Sequence, residues 1–246
     1  MMQQHTSRWS GLPALALLAG LTLLAMPIAA SAQNAPDIGV AASVVNKVDG
    51  TVGQRTVAKA TGDKVYENEV IKTGADSKGQ LLFRDETALT VGPNSEVTLD
   101  KFVYNPNGNS SVSVRATRGV FRFVSGSLPS QAYEIKTPAG TLGVRGSIGQ
   151  VIVLVDGTVI LRVMQGSFVY DGPPPTTVGP GQVLILRPGL PPEVRSKLTN
   201  AQLAMLAPID LPDQAFNGLP ELPDLDKIKN LRDLVRKRGG HYEQSD

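Results

Sequence analysis

Between residues 135 and 170 the chain sets two apolar runs, 151–155 and 158–164, on either side of Asp156-Gly157. Asp-Gly readily supplies the positive φ angles of a two-residue hairpin turn, so the runs predict two paired strands. Val151, Ile152, Val153, Leu154 and Val155 are apolar at both side-chain parities, and neither face of that strand is expected to meet water. Such a strand needs a layer on each side and belongs to the core. Gly166 predicts the next turn, residues 167–170 another short strand, and Asp171-Gly172 a further turn.

The same grammar runs upstream. Period-two alternation starts at Ser43 with Val44, Val45 and Val48, and turns at Asp49-Gly50. Residues 63–74 predict a half-exposed strand ending at Gly74, followed by strands at 80–83, 87–91 and 97–99. Arg84-Asp85-Glu86 and Gly92-Pro93-Asn94-Ser95 are the turns between them. Residues 104–110 read as a loop, and 112–114, 120–123 and 133–135 as short strands. Pro138 with the glycines at 140, 143, 146 and 149 predicts a sharp bend before the buried hairpin. Two echoes, Ile71-Lys72-Thr73-Gly74 with Ile135-Lys136-Thr137-Pro138 and 91–97 with 178–183, reflect either recurring turn chemistry or a degenerate solenoid duplication. The fold class expected is all-β: a short-stranded β-solenoid-like or sandwich domain over residues 43–186, with a C-terminal helical appendage.

Both ends depart from this pattern. Arg8, an apolar stretch over 12–28 and Ala30-Ser31-Ala32 have the layout of a signal peptide spanning residues 1–32, with cleavage expected between Ala32 and Gln33; the alternative is an uncleaved membrane anchor. Residues 33–42, polar and small, are expected to be a flexible lead-in. Residues 187–246 form a proline-punctuated segment with no strand pattern and two helix candidates. One covers about 192–206. The other has Leu225, Ile228, Leu231, Leu234 and Val235 on one face, acids at its start, and Arg236, Lys237 and Arg238 before Gly239. This amphipathic helix either docks on the β domain or binds a partner.

Composition narrows the functional classes. The 24 basic and 22 acidic residues become 23 and 22 without Arg8, which gives no electrostatic reason to expect nucleic acid or an anionic membrane surface. No cysteine occurs, so an exported chain must be held by its core and ladders. Once the leader is removed only His241 remains among histidines, leaving a serine or cysteine nucleophile without a base and a zinc site without ligands. No catalytic residue, cofactor or metal is expected, and no stable membrane span after cleavage. Asp85 with Glu86 is the one carboxylate pair a glycosidase-like reading would use; adjacent turn carboxylates are ordinarily solvated, which is the expectation here. Arg145, between Val144 and Gly146, either meets a ligand carboxylate or partner, or caps turn carbonyls with its guanidinium; the second is expected.

Several pieces together resemble the FecR family of periplasmic regulators: Val70-Ile71-Lys72-Thr73-Gly74, Gly79 through Asp85, Gly119-Val120-Phe121, and above all Thr137-Pro138-Ala139 with Val144-Arg145-Gly146-Ser147. The match covers about residues 69–164. The resemblance implies an all-β sensing or interaction module outside the inner membrane, with Thr137, Pro138, Arg145, Gly146 and Ser147 as family-motif residues of structural character. Ser147 stands where the family usually has Thr. Family members that regulate sigma factors carry a cytoplasmic helical domain and a membrane span, whereas here an export signal occupies that place. The function expected is a periplasmic or secreted, non-enzymatic module that binds a protein partner or an envelope glycan. The alternatives are a self-associating surface or matrix protein and, ranked last, a carbohydrate-active enzyme.

Overall fold

The computed structural model describes residues 35–105 and 109–210. The expected leader with its cleavage point at Ala32 and Gln33, and the helix expected around 225–238, lie outside the described residues.

In chain order the strands are β1 (Asp37–Val45), β2 (Val48–Val52), β3 (Arg55–Ala58), β4 (Lys64–Tyr66), β5 (Val70–Thr73), β6 (Lys78–Phe83), β7 (Ala88–Val91) and β8 (Glu96–Val103). There follow β9 (Ser111–Val124), β10 (Tyr133–Thr137), β11 (Gly140–Val153), β12 (Val159–Tyr170), β13 (Thr176–Val178), β14 (Val183–Leu186) and β15 (Glu193–Arg195). A short helix α1 (Asn200–Leu206) and a 3-10 turn (Ala207–Ile209) complete the described chain.

All fifteen strands join one mixed sheet. The all-β expectation holds; the solenoid does not. Stacked solenoid coils place parallel neighbours throughout, whereas here β9 with β10 is the one parallel pair among the described strands and every other pairing is antiparallel. Part of the reason is local: half of the connections between consecutive strands are hairpins, and a hairpin can only make antiparallel neighbours.

Three long strands shape the sheet. The first part of β9 pairs β8 and β10, and its second part pairs β7 and β11. Likewise β12 pairs β14 near its start and β13 at its end. Gly119 (φ 106°), Gly146 (φ 61°) and Gly166 (φ 68°) mark the bends, and the β11–β12 ladder shifts register between Arg145 and Ile148. The sheet therefore folds over itself, and one core cluster draws Leu81, Phe83, Phe123, Val151 and Leu161 from one half and Ile71, Val97, Val112, Tyr133 and Phe168 from the other. Edge-to-face ring pairs tie the halves together, Phe83 with Phe102 at 5.9 Å and Phe123 with Tyr133 at 6.1 Å.

Several expected boundaries move. β1 begins at Asp37, inside the expected lead-in, with Ile38 and Ala41 buried. The segment 63–74 is two strands, broken where Asn68 takes a positive φ of 61°. The first helix candidate is shorter than expected, because residues 193–195 pair with β14 as β15 and α1 starts only where Thr199 and Gln202 form a capping box. In the central hairpin Val151, Ile152 and Val153 are buried on both faces as expected, but the strand ends there. Leu154 N–H donates to Thr158 O and Gly157 N–H to Leu154 O, with Gly157 at φ 81°. That is a three-residue loop with a glycine bulge, not a two-residue turn. Val155 occupies its tip and is 99% exposed, against the expectation of burial.

Candidate functional site

The motif residues occupy two neighbouring bends. Thr137 Oγ1 donates to Gly140 O at 2.6 Å and locks the β10–β11 turn that contains Pro138 and Ala139. Arg145 is half-buried, and its Nη1 donates to Ser130 O at 3.3 Å and Val144 O at 3.2 Å. Gly146 supplies the left-handed residue of the bulge, so the buried Ser147 Oγ can donate to Ser167 O at 2.6 Å and accept Ser167 N–H at 2.9 Å. These contacts hold the bent halves of β11 and β12 together where the register shift removes ladder bonds. Ser147 N–H is accepted by Ser125 Oγ, which extends the arrangement to the end of β9.

A second polar group lies inside the fold. Asp85 is 1% exposed, which corrects the expectation of a solvated turn carboxylate; its neighbour Glu86 faces solvent at φ 70°. The Asp85 carboxylate accepts Thr87 N–H and Oγ1–H, and the Tyr133 hydroxyl at 2.9 Å. The same hydroxyl accepts Leu128 N–H, and the Asp85 carbonyl accepts both the N–H and the hydroxyl of Ser127. Burial, reinforced by the adjacent Asp85 charge, pushes the Tyr133 hydroxyl well above its ordinary pKa. Every polar atom here faces another protein group, so the carboxylate ties a turn to a strand 48 residues away and has no open side toward a substrate.

The surface offers something different at the end of the sheet where α1 returns. A groove of about 730 Å³ lies between the 75–78 turn, Pro93-Asn94, the bend at Gly119 and the tip of the β11–β12 hairpin, with Ala204, Met205 and Pro208 as its far wall. Its rim is apolar and solvent-facing: Val155 is 99% exposed, Val45 43% and Met205 38%. Lys78 and Arg118 add positive charge to the lining and Asp76 negative charge. Arg118 Nε lies 3.8 Å from Glu96. The loop that raises Val155 is fixed by Asp156, which accepts Thr158 N–H at 2.9 Å; that bond holds the Asp156 carboxyl below its ordinary range. Pro138 and Pro188 lie beside the same loop: a Cβ placed on Gly157 would come within 3.1 Å of Pro188 and 3.5 Å of Pro138. Such a site can seat an apolar side chain and orient a carboxylate near Lys78 or Arg118.

Residues 35–210 contain no histidine or cysteine, and no cluster of three or more candidate metal ligands occurs among the described residues. No helix among them is long and apolar enough to cross a membrane. Sequence reasoning missed the groove because its parts come from six separate segments. The one local signal was an apolar residue, Val155, immediately before Asp-Gly.

Comparison with curated proteins returns no match. Two crystal structures from Parabacteroides distasonis ATCC 8503, described as a "putative anti-sigma factor", are similar at TM-scores of 0.42 and 0.43 and 16% identity. Each alignment covers 54% of this chain, and the chain spans 61% of those proteins' length. Residues 69–168 match the family model described as "FecR protein", a span that runs from β5 into β12 and holds all five motif residues. Over residues 69–168 the chain is similar to the FecR protein family.

Proposed function

We infer that this chain is an exported, non-enzymatic signalling module whose FecR domain binds a protein partner through the groove beside α1. In this reading the leader is removed after Ala32, residues 33–42 contribute their last part to β1, and the β domain works in the periplasm or outside the cell. The observation that carries the reading is the display of Val155: an apolar side chain held in solvent on a loop closed by the Thr158–Asp156 and Gly157–Leu154 hydrogen bonds. A soluble protein gains nothing in stability from that placement, and a preformed apolar rim beside cationic groups suits a partner's hydrophobic anchor flanked by an acid. The motif residues serve this role indirectly by fixing the bends behind the hairpin.

The test is retention of periplasmic proteins and envelope glycans by the immobilised mature chain and by Val155→Asp and Met205→Asp variants. A protein retained by the wild type and lost from both folded variants supports the groove. Equal retention by all three moves the site elsewhere, and retention of a glycan instead of a protein replaces the partner class. Self-association has one observation in its favour. β3 pairs β2 alone, all four of its residues are exposed, and its free edge can accept another strand. Sedimentation at high concentration distinguishes the two readings, since a chain that stays monomeric has not used that edge.

A further inference from the structure

Among the described strands β3, β4, β13 and β15 each pair a single neighbour and so present a free edge. Such an edge offers a row of N–H and C=O groups that can extend the sheet. β15 differs from the other three in what its side chains do. It sets Val194 opposite Leu184, and Leu184 belongs to an apolar row that crosses the sheet in register through Phe121, Val151 and Leu161. Those four side chains are buried in the main core, whereas Val194, the last of the row, is 44% exposed. The core side of the sheet therefore runs out at this edge on an uncovered valine.

The other face of β15 carries charge of both signs. Glu193 and Arg195 stand opposite Ile185 and Val183, on the side of the sheet where Leu206 and Ile209 pack. The Glu193 carboxylate accepts from Arg195 Nε and from Arg187 Nη1 at 3.0 Å. Arg195 reaches it through Nε alone, so its two Nη groups can meet a second carboxylate. Directly opposite residues of an antiparallel pair share a face, so when the two strands are identical the two-fold axis must pass at a residue and not between residues. Centring it on Glu193 or on Arg195 sets like charges face to face, which is destabilising. Centring it on Val194 sets each Glu193 against an Arg195 and the two valines against each other. β3, β4 and β13 contain no acid and have no self-complementary register of this kind.

We propose that two copies of this chain associate through β15, pairing antiparallel about a two-fold axis at Val194. The apolar row then continues across the two valines from one core to the other, and two acid–base pairs form on the opposite face. Pro191 and Pro192 end the pairing on one side, because a proline nitrogen has no hydrogen to donate. A contact limited to three residues a side falls below the ~1,200 Å² of stable complexes, so the dimer forms and dissociates with concentration.

The chain has no cysteine, so a single introduced one reports which edges meet. Val194→Cys in the mature chain should form a disulfide-linked dimer under mild oxidation at least about tenfold faster than Val57→Cys on β3, because residues facing each other at the axis bring their Cβ atoms within about 5 Å. In sedimentation at high concentration the wild type should associate. Glu193→Arg and Arg195→Glu, each checked for folding by circular dichroism, should associate at least about tenfold more weakly, since each sets like charges opposite one another. An equimolar mixture of these two variants should regain the wild-type association, because the arginines of one then face the glutamates of the other. A wild type that stays monomeric overturns the proposal, as do single variants that associate like the wild type and a mixture that recovers nothing. Crosslinking faster at residue 57 than at 194 also overturns it, because the dimer would then belong to β3. None of these readouts involves the groove, so failure here and failure of partner retention are separate outcomes.

Discussion

Removing one oxygen from the core, Tyr133→Phe, tests how the buried carboxylate is held. The ring is fully buried and stacks edge-to-face on Phe123, so phenylalanine fits the same space and no cavity beyond the hydroxyl forms. Two bonds disappear: the donation to Asp85 Oδ2 at 2.9 Å and the acceptance of Leu128 N–H at 2.9 Å. A hydrogen bond to a charged group contributes about 1.5–3 kcal/mol, and an orphaned buried N–H costs about 1–3. Asp85 keeps both bonds from Thr87, and Leu128 N–H can recruit water because Leu128 is only partly buried. The lower half of the combined range therefore applies, about 2–4 kcal/mol. For a domain of this size about 2–4 °C accompanies each kcal/mol, so the melting temperature should fall by about 4–16 °C. Tyr170→Phe is the control, since its hydroxyl makes only a 3.4 Å contact to Ala139 O, and it should melt within about 2 °C of wild type. Alkaline pH gives a second arm. The folded-state pKa of Tyr133 lies above the ordinary 10.0, so its contribution is complete below pH 10 and is lost as pH rises beyond that value toward the native pKa. The gap between wild type and Tyr133→Phe should narrow above pH 10. Thermal melts by circular dichroism showing a loss under about 2 °C, or a gap that widens with alkali, would refute the linkage between Asp85 and Tyr133.

Glu69 Oε1 lies 2.5 Å from Lys59 Nζ with both side chains almost fully buried, so Glu69→Gln should cost about 3–5 kcal/mol in urea unfolding by leaving the ammonium with only Lys64 O and the Tyr66 ring, and Lys59→Met/Glu69→Leu should recover most of that. Gly146→Ala has open space but a φ of 61°, so a loss of about 1–2 kcal/mol is expected, smaller for Gly146→Asn. Arg145→Ala gives up two long bonds to carbonyls and should stay folded by circular dichroism with a loss of about 0.5–1.5 kcal/mol; collapse of the fold would assign the guanidinium a larger role. Val155→Asp should change stability by no more than about 0.5 kcal/mol, because the side chain it replaces touches almost nothing but solvent.

What the sequence made legible is the content of individual strands. Val151 to Val153 had to be core because both parities are apolar, and they are buried at 0–2%. The hairpin was legible too, but not its loop length: a type I turn places few demands on its first central position, so Val155 carried no mark of leaving the strand. Pairing was not legible. Short strands of similar pattern fit many neighbours, and the choice of one folded mixed sheet over a solenoid depends on contacts such as Phe83 with Phe102. Asp85 illustrates the limit for sites. Its burial depends on Tyr133 and Ser127, more than forty positions downstream, and nothing at 84–86 announces them. The motif residues were found by resemblance, while the groove needed the fold.

The arrangement also bears on the binding role proposed for the hairpin end. β11 pairs three strands, β9, β10 and β12, and its terminal residues Val151 to Val153 are enclosed on both faces. A loop projecting from such a strand inherits its rigidity, because any hinge motion of Val155 would have to disturb a buried ladder or break the Asp156–Thr158 bond. An anchor that is already ordered loses little conformational entropy when a partner covers it, so even a small groove can contribute usefully to affinity. The edge strand β3 offers the opposite case. It is exposed throughout and held by one neighbour, so it lacks the buried ladders on both sides that fix the base of the hairpin loop. The two surfaces are therefore not equivalent candidates, and the difference follows from where each stands in the strand order rather than from how apolar each is.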